Sequence, residues 1–169
     1  MKKLPPHDER FLDAAEGWLG LGDHLSANEE LGQTTPELRA HPDVMPVRLQ
    51  IYWRAEKWDT CVEIAGALVS LSPSIPDGWI GGSFALHELK RTQEAYELLM
   101  PAKDKFPTEH VIPCNLACYS AQLNQLKDAG KWFKQAMMID EHNVKRTAVT
   151  DPDLEPLWNS MGGTMWKRE

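Results

Sequence analysis

Small and apolar residues recur along this chain at a fixed spacing. Steps of 34 residues from Ala95 reach Ala27, Cys61 and Ala129, all small. Four residues beyond each stand Leu31, Ala65, Leu99 and Phe133; seven beyond stand Thr34, Leu68, Ala102 and Ala136. Offsets of 0, 4 and 7 mark one face of a helix, and the small residue lets a neighbouring helix approach. Sixteen residues before the anchor lie Phe11, Met45, Trp79 and Pro113, and nine before it lie Trp18, Tyr52, Leu86 and Ser120. These two sets, seven apart, give a second helix its buried face.

The pattern predicts four helix-turn-helix units, 8–41, 42–75, 76–109 and 110–143, with helices over 8–21, 24–34, 43–55, 58–71, 76–89, 92–105, 110–123 and 126–139. Polar residues or Gly interrupt the apolar rhythm within units at "LGDH", "AEKW", "LKRT" and "LNQL". Between units, "SPSIP" and "FPTEH" place Pro where it cannot prolong a helix. Asp43 and Asp77 stand where they could cap their helices, and Thr108 with Glu109 resembles a helix start. Two prolines interrupt the scheme: Pro36 should end the second helix near Thr34 and open a short turn, and Pro113 should delay or bend its helix.

Composition narrows the function classes. The chain has 169 residues, 42% of them apolar and 25% charged, with a net charge of −7. That charge disfavours nonspecific binding to nucleic acid or to anionic membranes. No apolar run approaches the ~20 residues of a membrane span, and "MKKLPPHDER" lacks the apolar stretch of a signal peptide. Three cysteines without framework spacing read as reduced thiols in a cytoplasmic protein.

Candidate chemistry is sparse. His110, Cys114 and Cys118 would share a helical face, but no fourth zinc ligand is placed. "IGGS" at 80–83 is a Gly pair inside a predicted helix rather than a phosphate loop. His24, His87 and His142 read as surface residues. Neither an enzyme nor a cofactor or metal is expected.

The 34-residue unit resembles the tetratricopeptide repeat. Trp79, Tyr52, Ala27, Ala95, Ala129, Phe133, Ala102, Ala136, Pro73 and Pro107 match its motif over residues 8–141. Leu49 and Arg48 depart from it, and Leu49, at a place usually held by Gly or Ala, should push its helices slightly apart. The resemblance implies an all-α, right-handed superhelical stack within a single domain. A C-terminal cap over 144–161 would place Leu154, Leu157 and Trp158 on one side of a short helix and cover the outer face carrying Met137 and Met138. The ends, 1–7 and 162–169, are expected to be flexible.

In that family the first helix of each unit lines a groove that binds peptides. Carried over, the groove positions are Glu9, Leu12, Glu16, Asp43, Gln50, Trp53, Asp77, Ile80, Gly81, Phe84, His87, Cys114, Asn115 and Cys118, with Gly81 leaving a notch beside Ile80 and Phe84. The family's Lys/Arg/Asn clamp for acidic tails is missing, since Leu12, Glu16, Val47, Asp77 and Gly81 stand at its places. The resemblance thus implies a noncatalytic interaction module with an apolar, acid-edged groove for a protein segment carrying apolar and basic residues. The alternatives are a small cytoplasmic chaperone of the type III secretion kind, or a homodimer that buries the same groove.

Overall fold

The computed structural model describes residues 3–162. Its contacts gather into two compact units, 1–85 and 86–169.

The N-terminal unit holds α1 (Pro6–Gly20), α2 (His24–Gly32), a 3-10 turn (Pro36–Leu38), α3 (Val44–Arg54), α4 (Trp58–Leu71) and most of α5 (Pro76–Glu88). In it α1 packs on α2, α2 on α3, and α3 on α4. The C-terminal unit holds the end of α5, α6 (Thr92–Leu99), α7 (Ala102–Lys105), α8 (Val111–Gln122), α9 (Leu126–Ile139), α10 (Glu141–Ala148), a second 3-10 turn (Pro152–Leu154) and α11 (Glu155–Ser160). There α8 is central, packing on α6, α7, α9 and the segment after α10. No strand occurs among the described residues, and none of their helices is long and apolar enough to cross a membrane.

The 34-residue rhythm survives in three dimensions. Ala27, Cys61, Ala95 and Ala129 are fully buried, and their partners four and seven residues on are buried too. The turn within each hairpin repeats as well. Gly22, Glu56, Lys90 and Asn124 all take a left-handed conformation, with φ of 84°, 54°, 63° and 59°. Three of these four lack glycine's freedom, so the turn is imposed by the packing on either side of it.

Several sequence expectations need correction. The expected helix over 92–105 breaks at Met100 and Pro101, because Pro101 cannot donate to the ladder and its ring crowds the preceding turn. Pro113 does not delay α8, which begins at Val111: as its third residue, it lacks an N–H that would be unpaired there anyway. Pro36 opens the expected short turn. Asp43 makes no cap hydrogen bond, whereas Asp23, which the pattern did not single out, accepts from the N–H groups of Leu25 and Ser26 at 3.1 and 3.0 Å. Trp18, expected to pack, is 38% exposed.

The N-terminal stretch is also more ordered than expected. Leu4 is buried in the N-terminal core and α1 begins at Pro6. Asp8, buried on α1, accepts the Thr35 N–H at 2.7 Å and the Thr35 hydroxyl at 3.2 Å, tying α1 to the turn after α2. Residues 1–2 and 163–169 of the expected flexible ends lie outside the described residues.

Candidate functional site

Gly81 is not a notch. A Cβ there would lie 2.7 Å from Cδ2 of Leu49, so the missing side chain is the room that Leu49 fills. Leu49 is buried against Cys61, Ala65 and Ala85. The oversized residue on α3 is therefore accommodated by the absent one on α5. Leu12, another expected groove residue, belongs to the N-terminal core with Ala15, Leu31 and Val47.

What the N-terminal unit does present is aromatic. The Trp53 and Phe84 ring centroids lie 5.4 Å apart, and Trp58 joins both at 6.4 and 5.8 Å. Such offset and edge contacts suit the ring quadrupoles. Trp53 is 38% exposed, whereas Trp58 and Phe84 are half-buried. The guanidinium of Arg54 sits 6.0 Å above the Trp53 ring. Sequence reasoning missed Trp58, although its place at the start of α4, one turn past Trp53, was readable.

The expected acids differ in state. Glu9 is engaged by Lys3 at 3.1 Å. Asp43 is exposed and lies 3.5 Å from His41, Asp77 is half-buried in the first turn of α5, and Glu16 and Gln50 are exposed. Ile80 is half-buried.

The C-terminal unit corrects three further assignments. His87 is neither a surface residue nor a free groove residue: it is 6% exposed. Its Nε2 lies 2.9 Å from Oδ2 of Asp153, its Nδ1 lies 3.0 Å from the Thr92 hydroxyl, and its ring tilts against Tyr119 at 5.0 Å. An ionised carboxylate only accepts, so Nε2 carries the proton. That hydrogen bond, against the opposing effect of burial, holds the Asp153 carboxyl below its ordinary range. Cys118 is buried and its thiol donates to Oδ2 of Asp151 at 3.3 Å. Burial and the Asp151 carboxylate push the Cys118 thiol well up and the half-buried Cys114 thiol up to about 11, so neither is poised as a nucleophile. Asn115 is half-buried. Among the described residues, no group of three His, Cys, Asp or Glu side chains could hold a metal.

The cap also lies elsewhere than expected. Leu154 and Leu157 are buried as the pattern predicts, Leu157 resting over Gly130 and Trp158 meeting Phe133 edge-on at 5.0 Å. Met138, which the cap was to cover, remains 79% exposed. The segment lies instead along α8 and the near part of α9.

A crystal structure of TTC0263, a thermophilic TPR protein of Thermus thermophilus, superposes with a TM-score of 0.77, covering 92% of this chain and 84% of that one at 17% identity. The chain has the tetratricopeptide fold. MamA (41-end) from Desulfovibrio magneticus RS-1 shares it, with a TM-score of 0.72 over 94% of this chain and 93% of that one at 12% identity. MamA MSR-1 aligns with a TM-score of 0.67 over 80% of this chain and 78% of that one at 21% identity. No family model and no curated protein matches the sequence. At these identities the likeness is one of tetratricopeptide architecture alone, and function has to be argued from the surfaces.

Proposed function

We propose that this protein is a noncatalytic interaction module that binds a segment of a partner protein on the N-terminal unit, over Trp53, Trp58 and Phe84. One observation carries the reading: three aromatic rings meet on one surface and the outermost, Trp53, is more than a third exposed. Large aromatic anchors of this kind dominate binding energies where they are found. The tetratricopeptide fold supports a scaffold role, and the raised thiol pKa values support a noncatalytic one. The preferred ligand is an apolar anchor flanked by Lys or Arg, because the exposed Asp43 and Glu16 and the net charge of −7 favour a basic approach. A cytoplasmic setting suits the three free cysteines.

The test is selection from a displayed peptide library, with Trp53→Ala and Phe84→Ala as counter-targets. Selected peptides should share an apolar residue beside Lys or Arg. Each substitution should weaken them by ~2 kcal/mol while the helical circular dichroism signal is retained. Peptides that bind both variants as tightly as the wild type would overturn the reading.

A further inference from the structure

The segment after α10 is joined to the C-terminal unit in an unusual way. Its N–H groups are bonded within the segment: the Leu154 N–H donates to the Asp151 carbonyl, and the Met161 N–H to those of Leu157 and Trp158. Asp151 caps the turn by accepting the Asp153 N–H at 2.9 Å. The contacts to the rest of the unit run through side chains. Asp153 meets His87, Asp151 receives the Cys118 thiol, and the Gln122 amide donates to the Asp153 carbonyl at 3.0 Å. Leu154, Leu157 and Trp158 supply the apolar anchors. The link to α10, Val149 and Thr150, is exposed. A self-capped turn held by two acids and a few apolar anchors, on an exposed link bonded only to the carbonyls that end α10, has the anatomy of a bound peptide rather than of a stacked helix.

The receiving surface is equally specific. His87 is buried, paired on both ring nitrogens and tilted against Tyr119, so its proton is aimed at one carboxylate oxygen. Leu157 rests over Gly130, its Cδ1 4.0 Å from where a Cβ would stand. We propose that this surface of α8 and α9, with His87, is a second peptide-binding site, selective for acidic segments of the form Asp-x-Asp-Leu, and that residues 151–158 are its built-in, displaceable occupant. A partner with the same arrangement of acids and apolar anchors takes the site by exchanging with the tethered copy. Its ligand carries the opposite charge to the one proposed for the aromatic surface of the N-terminal unit.

The test uses the full chain and a fluorescein-labelled peptide of residues 150–161, followed by anisotropy. Wild-type protein should bind weakly, since the tethered segment competes at high effective concentration. The Asp153→Ala, Leu154→Ala protein, whose own segment is loosened, should bind the same peptide at least ten-fold more tightly. Adding His87→Ala to that protein should abolish the gain, and a peptide with both aspartates replaced by Asn should bind at least ten-fold more weakly. Circular dichroism of each variant establishes that the helices remain. If the loosened protein binds no better than wild type, the segment is an integral part of the fold and the proposal fails. A loosened protein that loses its helices overturns it equally, because a displaceable occupant cannot be required for folding.

Discussion

Trp53 and Phe84 in the N-terminal unit and His87 and Cys118 in the C-terminal unit stand at equivalent places, each pair one 34-residue step from the other. In the first unit the place is filled by rings that touch one another and meet solvent. In the second, a histidine and a thiol are covered by two aspartates of the chain's own C-terminal segment. The same backbone position is thus an open apolar surface in one unit and a polar, occupied one in the other. Periodicity fixes where a side chain sits, while its chemistry and its neighbours decide what it meets there.

The largest contrast should come from paired truncations. Leu154→Ala removes a fully buried anchor of the covered surface and should cost about 2–5 kcal/mol, with faster amide exchange concentrated in residues 151–160. Trp53→Ala, on the open surface, loses ring contacts worth about 1 kcal/mol. Equal losses in thermal or chemical unfolding would erase the distinction between the two surfaces.

Acid should sharpen it further. The Asp153 carboxyl is held low first by the His87 hydrogen bond, and the Asp8 carboxyl first by the Thr35 N–H. A carboxyl whose pKa is depressed on folding adds stability that is complete above the unfolded value of about 4 and is lost as pH falls through the lower folded value. Both units should therefore loosen in acid, each at its own tie. Amide chemical shifts of Thr35 and of residues 153–157, followed as pH falls below about 4, read the two separately. Asp153→Asn should remove the C-terminal transition and leave that of Thr35 unchanged; loss of both would mean that the ties are coupled.

The smallest effect lies at a hairpin turn. Lys90 holds a left-handed φ of 63° that glycine adopts freely. Lys90→Gly should raise stability by about 0.5–1 kcal/mol, read as an increase in melting temperature that leaves the aromatic surface as it is.

Much of the fold was legible because it rests on local spacing. The four buried rows, from Ala27 to Ala136, follow from helical offsets that any window of sequence contains. The surfaces were less legible because they rest on particular long-range meetings. His87 and Asp153 are 66 residues apart and share no period. Asp8 and Thr35 are joined by a turn whose path the pattern leaves open. Gly81 looked like a vacancy because a glycine's role lies in what approaches it, and Leu49 is on another helix. The clue was present all the same: an oversized residue at a place that favours small ones, followed one unit later by a residue with no side chain.

That meeting of Leu49 with Gly81 makes the hairpins of the N-terminal unit non-interchangeable. The helix bearing Leu49 has a neighbour whose backbone leaves room for the whole side chain; with alanine or anything larger at 81, the Leu49 side chain would have to give way. An array of nominally like repeats thereby carries its own order of assembly.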